Sequence, residues 1–153
     1  MRTLLTGLCL ILLTACRDHS VPDVSAIPVS LELVRFEDDF FALDTTDLSA
    51  SLEQLKQRHP GFGDDFIKNI LGLDEATMDR STIETAIRKF ISDYRGIYDA
   101  VGNRIPGLEK IKTDIEGSLR FVRHYFPEYV LPRQFITYIG PIDGYYQASL
   151  GGY

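Results

Sequence analysis

The sequence predicts a mainly helical α+β fold of about four helices and two strands. Apolar residues recur at spacings of three and four through most of residues 46–126. Two short runs rich in β-branched and aromatic residues, near 29–36 and 133–140, flank that helical block. Two strands alone make a poor sheet. The chain is therefore expected to be the front portion of a larger α+β domain.

The opening stretch reads as a leader. Arg2 precedes an apolar run from Leu4 to Leu13, broken only by Thr6 and Gly7, which is the layout of a secretory signal. A bilayer span needs about 20 apolar residues, so this run is too short to be one. The run ends Leu13-Thr14-Ala15-Cys16, which resembles a bacterial lipobox. The likeness implies a lipoprotein signal peptide over 1–15 and cleavage before Cys16. Cys16 would then carry a diacylglyceryl group on its thiol and an acyl chain such as palmitate on its new amine. Several fatty chains hold a protein on a membrane stably, whereas one does not.

Cys9 would leave with the leader, so the remaining chain has no thiol for a disulfide, a zinc site or a nucleophile. Arg17, not aspartate, follows the cysteine, which favours outer-membrane over inner-membrane retention. Residues 16–30 carry two prolines and three serines without helical period and are expected to be the lipid anchor and a tether. Residues 31–153 are expected to form one helix-rich α+β domain, incomplete as it stands.

The first strand is expected in "VSLELVRF", where Val29, Leu31 and Leu33 alternate with Ser30 and Glu32. "EDDFFALD" follows as a turn. A helix capped by Thr46 or Asp47 carries Leu48, Leu52 and Leu55 and stops at Pro60-Gly61. The next is expected to use Asp64 as cap, Phe66, Ile67, Ile70 and Leu71 as apolar face, and Gly72 as stop. Ser81 with Glu84 three later reads as a capping box for a helix whose apolar side is Ile83, Ile87, Phe90, Ile91 and Tyr94. From Gly107, Leu108, Ile111, Ile115, Leu119, Val122 and Phe126 mark an amphipathic helix ended by Pro127. "RQFITYIG", between Pro132 and Gly140-Pro141, is the second strand.

Charge narrows the partners. The leader holds one basic residue and no acid, so the remainder carries 15 Lys+Arg against 22 Asp+Glu. That balance excludes a nucleic-acid partner, which needs clustered cations. It also excludes electrostatic docking on anionic lipid, so membrane association is expected from the anchor alone.

No catalytic constellation stands out. Zincin chemistry needs H-E-x-x-H, and His19, His59 and His124 stand far apart, none followed by glutamate. His59 and His124 are expected to be surface residues or partners of a helix C-terminus. Asp38-Asp39 and Asp64-Asp65 could suggest paired carboxylates or calcium, but read better as a solvated turn and a cap. "GFGDDF" lacks the lysine of a phosphate loop and the third glycine of a dinucleotide turn. Aromatics at Phe36, Phe40, Phe41 and at Tyr125, Phe126, Tyr129 are expected to be core. Arg120 and Arg123 are expected on a solvated helix face. Tyr145, Tyr146 and Tyr153 are expected to meet further sequence or a partner.

The order of "IPVSLELVRFEDDFFAL", "LKQRHPGFGDDFIKNILGL" and "FVRHYFPEYVLPRQFITYIG" behind a lipobox resembles the gliding-motility lipoprotein family GldB over nearly all of residues 16–140. The resemblance implies a lipid-anchored envelope component that works with other envelope proteins of the gliding and associated secretion machinery; with the catalytic constellation lacking, it is expected to be non-catalytic, without cofactor or metal. The resemblance also implies a wider kinship with zincin-like zinc peptidases. The alternative is therefore the front part of such a peptidase, with catalytic residues outside this chain. The family runs well beyond this length, which implies a partial copy.

Cys16→Ser is expected to move the protein from the membrane fraction to the soluble fraction. Persistence in washed membranes after that change would contradict the anchor.

Overall fold

Two strands separated by a hundred residues close the fold. Strand β1 (Glu32–Arg35) pairs in parallel with β2 (Gln134–Thr137), in register from Glu32↔Gln134 to Arg35↔Thr137. A parallel pair needs a long crossover, and every helix described below lies within it. The computed structural model describes residues 21–101 and 107–142. The leader, Cys9, Cys16, His19 and the tail tyrosines Tyr145, Tyr146 and Tyr153 lie outside the described residues.

β1 runs without a turn into helix α1 (Phe36–Phe41), where a turn was expected. Phe36 and Phe40 are one helical turn apart, and Phe36, Phe40 and Phe41 are all buried. Their burial stabilises a helix too short for periodicity to reveal. Ring centroids of Phe36 and Phe66 stand 4.7 Å apart, those of Phe36 and Phe62 4.9 Å, and those of Phe40 and Phe66 4.9 Å. Such tilted and edge-on contacts suit the ring quadrupoles.

Helix α2 (Leu48–Arg58) starts as expected, with the Asp47 carboxylate accepting from the Ala50 N–H at 3.3 Å. It buries Leu48, Leu52 and Leu55. Gly61, at φ 81°, then turns the chain into α3 (Phe62–Asp65). Asp64 is inside α3 and is not its cap. The Gly63 and Asp65 N–H groups donate instead to the His59 and Gly61 carbonyls at 2.8 and 3.0 Å, so backbone satisfies the helix start. A Cβ at Gly63 would stand 3.0 Å from the Lys56 Cα, so only glycine lets α3 pack this closely on α2. A π-helical turn, Phe66–Ile70, continues α3. The Leu71 N–H reaches the Phe66 carbonyl at 2.9 Å, and Gly72 ends the turn at φ 71°.

Helix α4 (Arg80–Val101) buries Ile83, Ile87 and Ile91 against this aromatic centre. Its cap is Asp79 and not Ser81: the Asp79 carboxylate accepts from the Thr82 N–H at 3.0 Å and from the Thr82 hydroxyl at 2.7 Å. Glu84, the expected partner of Ser81, pairs with Arg80 and Arg88. Aspartate and serine are comparable caps, and here the helix starts at Arg80, which leaves Ser81 inside its first turn.

Helix α5 (Leu108–Tyr125) has the expected apolar stripe, yet none of its residues is fully buried. The aromatics at and beyond its end are exposed, contrary to the core expectation: Tyr125 59%, Phe126 64% and Tyr129 53%. Arg123 does not face solvent freely; its guanidinium donates to the Pro127 and Tyr129 carbonyls at 3.1 and 3.3 Å.

The stretch expected to be a tether is in part packed. Val24 and Leu31 are buried, and the Leu31 N–H donates to Glu116 on α5 at 2.8 Å. That backbone donor, with Lys112 beside it, holds the Glu116 carboxyl below its ordinary range. The folded part therefore begins before residue 31.

Phe36→Ala is expected to cost about 3–5 kcal/mol, read by urea unfolding of the purified protein. A change within the roughly 0.5 kcal/mol typical of surface substitutions would contradict the core described above.

Candidate functional site

In open parallel sheets, ligands gather outside the carboxyl ends of the strands. Here β1 ends at Arg35 and enters α1, so Glu37, Asp38 and Asp39 stand at that end, with Thr137 closing β2 beside them. Successive helical residues point about 100° apart. Three consecutive acids must therefore find three different partners.

Glu37 is the buried charged residue of the described fold, 4% exposed. The Thr137 hydroxyl lies 3.0 and 2.9 Å from its two oxygens. The Arg35 Nε donates to Oε1 at 3.0 Å. Burying a carboxylate is costly unless it is paired and hydrogen-bonded, and this one is both.

Asp38 forms an ion pair with Arg35, its Oδ2 lying 3.1 Å from Nε, and its Oδ1 accepts from the Tyr98 hydroxyl at 3.2 Å. Burial raises the Tyr98 phenol above its ordinary 10.0, and the Asp38 charge adds to that effect. The Tyr98 ring stacks on Phe41 at 4.7 Å. Arg95 covers both rings, 5.3 and 5.7 Å from their centroids, and donates to the Phe41 carbonyl at 2.7 Å. This cation over aromatic faces adds a favourable contact.

Asp39 turns to the end of α2. Its carboxylate meets Arg58, and its Oδ2 lies 2.7 Å from His59 Nε2. The His59 side chain is only 10% exposed, with Phe36 packed edge-on at 5.0 Å. It sits at a helix C-terminus as expected, but is not a surface residue. His124 is exposed at the end of α5, against Tyr125.

Asp38 and Asp39 therefore form no facing pair. Asp64 and Asp65 do not either: Asp64 meets Lys56 at 3.2 Å, and Asp65 takes the Asn69 amide. Lys56 also reaches Glu75 at 2.6 Å, in a cleft of about 420 Å³ that Lys68 and Asp74 line as well. Burial alone would lower the Lys56 ammonium, but the bonds to Glu75 and Asp64 outweigh it and its pKa is raised. Among the described residues no group of three or more His, Cys, Asp or Glu is placed to hold a metal ion. Chemically, the junction can orient and clamp; each acid already has a cation or hydroxyl partner.

None of these partnerships was visible along the chain, because they join residues 20, 60 and 100 positions apart. One signal was available. Glu37 stands directly between positions of an i, i+4 phenylalanine pair, which is an unusual place for a solvated acid.

A family model described as gliding motility protein GldB matches residues 17–151. No curated protein and no solved structure matches the chain.

Because the folded state keeps Tyr98 protonated above the ordinary tyrosine pKa, its contribution to stability is full below about pH 10 and falls as the pH rises past it. Ultraviolet titration is expected to show a late-ionising tyrosine that Tyr98→Phe removes. An unchanged titration in that variant would contradict the assignment.

Proposed function

We propose, from the premise that this chain belongs to the gliding motility protein GldB family, that it serves gliding as a non-catalytic lipoprotein of the cell envelope. Membership carries the role in gliding motility. The finer reading rests on one observation: each acid at the strand ends is committed to a partner within the fold. A general acid or base needs access to substrate, and these carboxylates are spent on holding β1, α1, α2 and β2 together. The ending Leu13-Thr14-Ala15-Cys16 supports the lipid anchor, and Arg17 supports the outer membrane over the inner. Its partners on this reading are other envelope proteins of the machinery, with no cofactor, no metal and no nucleic acid.

Complementation of a strain lacking the gene separates scaffold from catalyst. Asp38→Asn and Asp39→Asn keep shape and most hydrogen bonds but remove the charge that acid–base chemistry needs. Both variants, present at normal levels, are expected to restore surface gliding. Loss of gliding by either one, with its level and fold unchanged, would overturn the non-catalytic reading.

A further inference from the structure

We propose that the end of α5 and the turn after it rest on the membrane, adding an apolar contact to the lipid anchor. This rests on lipidation of Cys16 as proposed above. Tyr125, Phe126, Tyr129 and Val130 form a run of exposed large side chains, Val130 being 82% exposed. Scattered exposed apolar residues are ordinary, but a contiguous patch marks a surface that something covers. The turn is also set in place: the Tyr129 N–H donates to the Phe126 carbonyl at 3.0 Å, and Arg123 holds the Pro127 and Tyr129 carbonyls.

The length of chain ahead of the fold argues that the cover is lipid. Cys16 stands five residues before Val21, a reach of at most about 18 Å. The segment that follows is laid along α5, where Pro22, Val24 and Ser25 share a shallow cleft with α5 from Thr113 to Phe121. Gly117, Phe121 and Tyr125 are spaced four apart and so lie on one side of the helix. Tyr125 is one turn, about 6 Å, beyond Phe121 along the axis.

The entry of β1 lies at the same end. The Glu32 N–H donates to the Arg133 carbonyl at 2.9 Å, three residues after Val130. A lipid on Cys16 therefore holds the bilayer within reach of the patch. Tyrosine and phenylalanine suit the zone between headgroups and acyl chains. The chain's negative charge leaves the contact apolar, so it resists salt.

The chain has no tryptophan, which permits single reporters without background. Phe126→Trp and, separately, Tyr129→Trp would be placed in the lipidated protein and reconstituted into vesicles of brominated phosphatidylcholine. Glu53→Trp on α2 is the exposed reference. Both patch reporters are expected to lose most of their emission relative to unbrominated vesicles, unchanged by high salt, while the reference keeps its emission.

Intact mass on the same samples reads the anchor. A lipidated mass with both patch reporters unquenched would overturn this proposal and leave the anchor standing. An unlipidated mass would overturn both. Patch reporters unquenched by bromine but shielded from iodide in the same vesicles would overturn the lipid assignment and give the patch to a second copy of this chain.

Discussion

The fold depends on one buried carboxylate. Glu37 joins the end of β1, through Arg35, to the end of β2, through Thr137. Two four-residue parallel strands offer few ladder bonds, and parallel pairing is the slightly weaker kind. A charge-assisted bond at the strand ends therefore carries unusual weight, and its removal would leave an uncompensated charge in the interior. The same residue sits on α1 between Phe36 and Phe40, so the clamp also sets how the aromatic centre meets the strands.

Around that clamp, the acids that look like chemistry act as fasteners. Asp38 ties β1 to α4 through Tyr98, and Asp39 ties α1 to the end of α2 through His59. Phe36, on the same helix as these acids, packs on Phe62 and Phe66. Polar bonds of this kind between elements help to specify one arrangement of a core. The result is a junction at which Glu37, Asp38 and Asp39 each meet a partner within the fold. Among the described residues, a run of exposed apolar side chains, Tyr125, Phe126, Tyr129 and Val130, follows α5 and precedes β2.

Much of this was legible along the chain, and the failures share a cause. The mainly helical α+β character, the Asp47 cap, the stops at Pro60-Gly61 and Gly72, and the strand at 134–137 follow from local rules and match the structure. Helix α1 was missed because six residues are too few to show a period. Asp64 and Ser81 were misread as caps because neighbours two or three residues away satisfied the helix starts first. The aromatics split: Phe36, Phe40 and Phe41 are core, while Tyr125, Phe126 and Tyr129 are surface. Composition cannot separate them, since only the three-dimensional neighbours of α5 decide whether its apolar end is covered. The clamp itself spans a hundred residues and leaves no local trace.

A double-mutant cycle between Glu37→Gln and Thr137→Val, read by urea unfolding, tests that clamp most directly. Residues in direct contact within one network couple by roughly 0.5–3 kcal/mol. A coupling of at least about 1 kcal/mol is what the buried carboxylate requires. Strictly additive effects of the two changes would contradict it, and would leave the strand pairing and the aromatic centre to hold the fold alone.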